Sequence, residues 1–464
     1  MEKVPQEELL ILGQGRINEQ MVMDLIGFNR RYQNRLLRYF AKIKIQFEEE
    51  HPGLCYPGLF AEVDSISGET RPPHEQKVWS WGDCRGLGIW SYLLAKGAIS
   101  DDEAVTGGRT LNLRRFYSDY CDFIYGRLLE RYELNGGRLP FLVDVGTNLA
   151  SDDPRNIVCA PGECEPTHVF AAAGFLQYGF MRGSEDALTL GLKFLDEAID
   201  CGMRSANVDH ITKKRLSYKG EGFIMIVMGA IVDTLKCLRH RGGVPGAHEA
   251  LDGRLLADGV RIARELLAKF TNPNTGEYWE YNSQDDIPHI TDSGQKICDP
   301  GHVAESCGFM AELIGLQGEG AFPPGERLVR ILSFLDRHGY SASGVMFKNI
   351  DLLTQKGVFD KVDAAGVRHR TAPWWNVREC CAASIKLYQL TGRQECLDAY
   401  CRAQNATYLN YPNKRIGGLM VQTLDADTLE PLPFHPATGN IDPMHCARAR
   451  EREIEALELL LHTA

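Results

Sequence analysis

The feature that most constrains this chain is an alternation between two kinds of helical segment. Helical periodicity predicts about twelve segments, near residues 17–48, 81–96, 109–133, 166–181, 184–202, 221–240, 248–270, 300–316, 325–338, 373–391, 393–410 and 443–462. Those near 81–96, 166–181, 221–240, 300–316 and 373–391 are rich in Gly, Ala, Cys and apolar residues. Gly222-Phe223-Ile224-Met225-Ile226-Val227-Met228-Gly229-Ala230 is apolar all round, the mark of a helix covered on every side. The segments between them are amphipathic, as Leu111-Asn112-Leu113-Arg114-Arg115-Phe116-Tyr117 and Leu251-Asp252-Gly253-Arg254-Leu255-Leu256 show. An inner ring of buried helices wrapped by an outer ring of half-exposed ones accounts for this order. The expected fold is all-α.

Short β-like pieces lie between the helix pairs: residues 58–64, 276–280, 344–348 and 418–422. Each starts at Gly, runs through apolar residues and precedes a polar loop that leads into an inner helix. They form a degenerate repeat of roughly 60–70 residues and predict hairpins at the end of the barrel where the inner helices begin. No Gly/Ser-rich or Pro-rich linker interrupts the pattern, so one domain over residues 1–464 is expected, with residues 1–14 a loosely held N-terminal extension.

The starts of the inner helices carry the chemistry. In Cys298-Asp299-Pro300-Gly301-His302-Val303-Ala304-Glu305, Asp299 suits the N-cap and Pro300 the first helical position. His302 and Glu305 then share a face at i and i+3. The positive end of a helix disfavours imidazolium, so His302 is expected to be neutral and able to act as a base. Asp442-Pro443-Met444-His445 repeats the arrangement, and Glu165-Pro166-Thr167-His168 is a looser third copy. One such histidine is more often structural; repetition points to an architecture that aims histidines at one place.

Two further helix starts are candidates. Val78-Trp79-Ser80-Trp81-Gly82-Asp83-Cys84-Arg85 sends an arginine into a buried core, where it needs a partner or a ligand. Arg85 could stabilise an oxyanion or pair structurally with Asp83, and the tryptophans could line a sugar site or simply fill core. Ala372-Pro373-Trp374-Trp375-Asn376-Val377-Arg378-Glu379 places an indole and a carboxylate on one helical face, a combination that suits a carbohydrate.

The formal charge of −11 argues against a nucleic-acid surface. No apolar run reaches membrane-spanning length, and the polar start Met1-Glu2-Lys3-Val4-Pro5 lacks the order of a secretion signal. The fourteen cysteines show no Cys-x-x-Cys pair and read as reduced packing residues of a cytoplasmic protein. His302, Glu305 and His445 could together bind a metal, but no second ligand pair supports it, so no metal and no cofactor is expected.

Taken in series, these motifs resemble those of the N-acylglucosamine 2-epimerase superfamily, which includes cellobiose 2-epimerases and aldose–ketose isomerases. Trp81-Gly82-Asp83-Cys84-Arg85 is similar to its Trp-x-Gln-x-Arg, with Asp83 for Gln. Pro300-Gly301-His302-Val303-Ala304-Glu305 meets Pro-Gly-His-x-x-Glu in full, Trp374 to Glu379 meets Trp-Trp-x-x-x-Glu, and His445-Cys446-Ala447-Arg448 meets the late His-x-x-Arg. The motifs keep the family order over about residues 75–460. Val377 also departs from a polar position, and Ile226 stands where cellobiose-type members carry a histidine on the sixth helix.

The resemblance implies an (α/α)6 barrel with short β-hairpins at one end. It implies catalysis by His302, His445 and Arg85, with Glu305, Trp375, Glu379, Trp81, Asp83 and His168 expected around the substrate. Deprotonation next to the carbonyl of an open-chain sugar, followed by reprotonation, gives the 2-epimer or the ketose; it uses no redox cofactor. The partner is then a small carbohydrate, and the resemblance also admits a homodimer. A rival is a glycoside hydrolase or lyase on the same barrel, which needs paired carboxylates such as Glu280, Glu305, Glu379 or Asp299. A third class, a binding protein without catalysis, is disfavoured by the presence of both helix-start histidines and Arg85.

Overall fold

Twelve α-helices, counted among the described residues, account for most of the chain in the computed structural model. It describes residues 16–50, 52, 64–69, 78–101, 103–106, 109–144, 147–154, 156–157, 159–209, 214–240, 249–317, 325–416, 418–433 and 444–463. The helices are α1 (Glu19–Glu50), α2 (Ser80–Ala95), α3 (Leu113–Leu134), α4 (Pro166–Arg182), α5 (Glu185–Met203) and α6 (Glu221–His240), then α7 (Glu249–Phe270), α8 (Pro300–Gln317), α9 (Glu326–His338), α10 (Trp374–Thr391), α11 (Gln394–Asn410) and α12 (Ala449–Thr463).

The even-numbered helices form the inner ring. Each packs on the next, α2 on α4, α4 on α6, α6 on α8, α8 on α10 and α10 on α12, and the turn ahead of α12 touches α2 again. The odd-numbered helices lie outside, and each buries one stripe. Thus α9 buries Leu328, Val329, Ile331, Leu332, Phe334 and Leu335, whereas nearly every residue of α4 is buried. This is the (α/α)6 barrel expected from the alternation.

Local chemistry sets the helix boundaries. The helix expected from residue 109 begins at Leu113, because Arg109–Asn112 pairs as a strand with Glu103–Thr106 and the Asn112 side chain accepts from the Arg115 amide. Ser184 caps α5 in the same way, accepting from Ala187. Ahead of α12, Met444–Arg448 makes a wider π-type turn rather than α-helix. The Asp442-Pro443 pair lies outside the described residues.

Small residues let the inner helices approach. A Cβ on Gly174 of α4 would lie 2.7 Å from the Cys84 carbonyl oxygen of α2. A Cβ on Gly301 of α8 would lie 2.4 Å from both Asn376 and Trp375 of α10. The second contact is functional in consequence, since it draws the starts of α8 and α10 together.

Short antiparallel pairs hold those starts. Val78–Trp79 pairs with Leu142–Val143 ahead of α2, and Lys219–Gly220 with Tyr281–Asn282 ahead of α6. Ile297–Cys298 pairs with Ile350–Asp351 ahead of α8 in the register Ile297 to Asp351, and Thr371–Pro373 pairs with Thr423–Asp425 ahead of α10. Of the expected β pieces, 418–422 contains the strand Leu419–Met420. The pieces at 276–280 and 344–348 are instead turns with single bridges, because Gly276 (φ 81°) and Gly344 (φ 88°) are left-handed and pairing begins only at Tyr281 and Ile350. Residues 58–63 lie outside the described residues.

Among the described residues, no helix is long and apolar enough to cross a membrane. The described cysteines are free thiols, all buried except Cys159.

Candidate active site

The starts of α8, α10 and α12 converge at the barrel mouth. Asp299 caps α8 as expected: its Oδ1 accepts from the amides of Gly301 at 2.9 Å and His302 at 3.4 Å. Gly301 lets Trp375 approach, and the indole centroid lies 5.7 Å from the His302 ring. On α10 the same indole stacks on His445 at 4.9 Å, with 27° between the planes. One side chain thus adjoins both imidazoles, which stand more than 140 residues apart in the chain.

The two histidines have different surroundings. Nδ1–H of His302 donates to Glu280 Oε1 at 3.0 Å, with Asp299 Oδ2 at 3.6 Å and Glu221 Oε1 at 3.8 Å. Burial works against charge on this ring, but the carboxylates of Asp299 and Glu280 outweigh it and raise the pKa to about 10. His302 is therefore an imidazolium at neutral pH. The sequence-based expectation of a neutral imidazole is corrected: the carboxylates of Asp299 and Glu280 outweigh the helix terminus. The same charges act in return on Asp299, whose carboxyl is held low by His302 and Lys348 against the effect of burial. Lys348 bonds Asp299 and lies 4.6 Å over the Trp375 ring.

The Nδ1 of His445 donates to Glu379 Oε1 at 2.8 Å. That carboxylate is shared. Arg448, one turn on from His445, bonds Glu305 and reaches Glu379 at 3.3 Å and Asp233 at 3.6 Å. Burial would raise the Glu379 pKa, but the Arg448 guanidinium and the His445 bond hold it at about 2. Glu379 is thus a fixed anion, unsuited to act as the acid of a paired-carboxylate hydrolase. Glu305, expected around the substrate, is bonded to Arg448.

Arg85 sits on α2, the inner helix that adjoins the turn carrying His445. Its guanidinium lies 4.7 Å from the Trp81 ring and 4.1 Å from Phe170. Trp81 in turn packs on Phe141 and Phe170 at 5.6 and 6.0 Å. Two expected substrate contacts are placed elsewhere. Asp83 is buried and pairs at 2.9 Å with Arg131 of α3, so its place is the wall between α2 and α3. His168 closes a capping box with Glu165, and its ring lies 5.9 Å from Phe194 of the outer helix α5. It borders a separate cavity of about 560 Å³ beneath the α3–α4 loop, also lined by Arg138, Glu163, Lys193 and Glu197. Both residues thus have structural partners, a buried ion pair for Asp83 and a capping box beside Phe194 for His168.

Sequence reasoning missed Glu221 and Lys348 and gave Glu280 only to the rival chemistry. The available signal was weak. Glu221 is a lone carboxylate at the start of the most apolar helix, and only pairing between strands 219–220 and 281–282 reveals that it faces Glu280.

Comparison with known proteins agrees with this fold. Residues 248–439 match the model of the family described as N-acylglucosamine 2-epimerase (GlcNAc 2-epimerase). The match shows the resemblance to that superfamily. It spans the Pro300–Glu305 and Trp374–Glu379 motifs. No curated protein matches the sequence. Among solved structures, the cellobiose 2-epimerase of Bacillus thermoamylovorans B4167 is similar with 15% identity and a TM-score of 0.64, over 92% of this chain and 99% of that one. The cellobiose 2-epimerase of Spirochaeta thermophila DSM 6192 gives 15% and 0.63, over 94% and 98%. A D-mannose isomerase gives 13% and 0.65, over 94% and 98%. At these identities the likeness establishes the epimerase-type (α/α)6 barrel.

Proposed function

We propose that this protein is a carbohydrate isomerase, a sugar 2-epimerase or aldose–ketose isomerase that moves a proton next to the carbonyl of an open-chain sugar. The observation that carries this reading is the single indole, Trp375, flanked by His302 and His445 at 5.7 and 4.9 Å. Two imidazoles within reach of one small substrate supply a base and an acid for the same carbon.

Their surroundings support one division of roles. His445 takes the C2 proton. The electron pair moves into the C1–C2 bond and onto the carbonyl oxygen, giving an enediolate. In this reading Arg85, whose guanidinium lies against Trp81 and Phe170, stabilises that oxygen. His302 enters charged and returns a proton to the opposite face of C2, which gives the epimer. Transfer of the O2 proton to O1, with delivery of the His302 proton to C1, gives the ketose. The histidines recover their starting states by exchange with solvent. In the reverse direction the two exchange roles. Glu379 and Glu280 orient the two rings through Nδ1. Cytoplasmic residence, supported by the buried free thiols, and assembly as a homodimer belong to the same reading.

The test is a panel of aldoses incubated in D2O and followed by NMR. The expected outcome is deuterium at C2 of at least one sugar, with His302→Asn or His445→Asn slowing incorporation by about 10²-fold or more. Exchange at the wild-type rate in either variant refutes the assignment. Release of a smaller sugar from a glycoside without exchange would favour the paired-carboxylate chemistry.

A further inference from the structure

Two clusters of carboxylate and imidazole line the mouth, and one difference separates them. Glu305, Glu379 and His445 offer ligand atoms within 4.8 Å of one another, as do Glu221, Glu280 and His302. In the first cluster a cation is built in: Arg448 bonds both glutamates. In the second, among the described residues, no lysine or arginine is paired with Glu221 or Glu280; Lys348 bonds Asp299. Both glutamates are buried, and Glu221 Oε1 and Glu280 Oε2 accept no hydrogen bond. Among the described residues the His302 ring is the cation that faces them, and a buried carboxylate oxygen that accepts no hydrogen bond is costly unless an ion satisfies it.

We propose that Glu221, Glu280 and His302 form a binding site for one divalent transition-metal ion of the Zn²⁺ or Mn²⁺ class. The donor set is two carboxylates and an imidazole, which suits such ions better than Ca²⁺ or Mg²⁺, which favour oxygen alone. Nδ1 of His302 lies 3.0 Å from Glu280 Oε1 and 3.8 Å from Glu221 Oε1, the spacing of adjacent ligands on one small ion. The Tyr278 hydroxyl donates at 3.1 Å to the other oxygen of Glu221 and so orients Oε1 toward the cluster. Gly222 borders the space: a Cβ there would stand 3.4 Å from both Glu280 Oε1 and His302 Nδ1. The His302 side chain is 29% exposed, so the site's open side faces the mouth, where a water or a sugar hydroxyl completes the coordination.

Binding displaces the proton on Nδ1 and takes His302 out of proton transfer. The metal therefore suppresses sugar exchange. That consequence rests on the catalytic role proposed for His302; the binding itself does not.

The experiment uses the full-length protein stripped with EDTA and titrated with MnCl2 alone, with free Mn²⁺ read by electron paramagnetic resonance. A single saturable equivalent is expected, weakened at least about tenfold by Glu221→Gln or Glu280→Gln. Glu379→Gln, in the other cluster, leaves binding unchanged, and Zn²⁺ displaces Mn²⁺. Gly222→Ala keeps every ligand but narrows the space, so it weakens binding too and decides the matter if the glutamine variants do not fold. The proposal is overturned if nothing saturates below ~1 mM. It is also overturned if binding survives in the folded variants at Glu221, Glu280 and Gly222, or is lost in Glu379→Gln. Saturable binding in a protein that exchanges no sugar proton leaves the site standing and removes the catalytic reading.

Discussion

Replacing Glu280 by glutamine tests the claim that His302 works as a charged acid. The His302 pKa of about 10 arises chiefly from Asp299 and Glu280 against the effect of burial. Glu280 is the nearer, at 3.0 Å against 3.6 Å. A neighbouring opposite charge at such distances moves a pKa by about 1–3 units. Removing Glu280 does not release that whole amount. Burial, then the charge on Glu280, holds the Glu221 carboxyl well above its usual range. Once Glu280 is neutral, Glu221 ionises more readily, and its Oε1 is only 3.8 Å from His302. The single variant should therefore bring the imidazole midpoint down by about 1 pH unit, or about 1.4 kcal/mol. The double variant with Glu221→Gln should bring it down by about 2.

Two assays read the change in metal-free protein. The first is the pH dependence of solvent-deuterium incorporation at C2. A proton donor fails when it deprotonates, so the wild-type alkaline limb falls near pH 10 and moves toward neutrality in order, single then double variant. The second is NMR of ¹³C-labelled histidine, which follows His302 without requiring turnover. Stability obeys the same sign. A raised folded-state pKa adds stability that is full below the unfolded value near 6.5 and is lost as pH rises through about 10. The variants should accordingly lose less stability than the wild type across that window. An alkaline limb that stays in place in the double variant, with the resonance of His302 also unmoved, would refute the electrostatic account.

Three other outcomes follow from the geometry. Glu379, held at about 2, contributes stability that is present above the ordinary carboxylate value near 4.5 and lost as pH falls toward 2; Glu379→Gln should abolish that acid limb in urea melts and, by leaving Arg448 buried with less counter-charge, cost about 3–5 kcal/mol at pH 7. Gly301→Ala places a methyl 2.4 Å from Asn376 and Trp375, so it should cost about 1–3 kcal/mol in a thermal melt and reduce kcat more than Asp83→Asn does, because it parts α8 from α10 where the imidazoles meet. Asp83→Asn should lower stability by about 3 kcal/mol through the buried Arg131 yet leave KM for the sugar close to wild type; a large rise in KM with unchanged stability would return Asp83 to the sugar site.

The alternation of fully and partly apolar segments sufficed for the helix order and the two rings, because an all-round apolar helix has few alternatives to being enclosed. Asp-Pro-x-His gave the direction of His302, since the cap and the proline fix the helix start to the residue. What the local pattern could not show was charge. The reading of a neutral His302 used only the field of its own helix; of the carboxylates that reverse it, Asp299 is the N-cap of that helix and Glu280 comes from the residue ahead of strand 281–282, 22 residues upstream. Arg448 makes the converse case. It was visible in His-x-x-Arg, but nothing in that spacing tells that it neutralises Glu305 and Glu379 together. The two histidines therefore start from similar sequence motifs and end in different electrostatic states, one ringed by carboxylates and one sharing a carboxylate with a guanidinium. A pair of equivalent imidazoles would have no preferred donor. The asymmetry lies in the partners, Asp299 and Glu280 around His302 and a Glu379 shared with Arg448 beside His445, and in the proposed mechanism it makes His302 the donor.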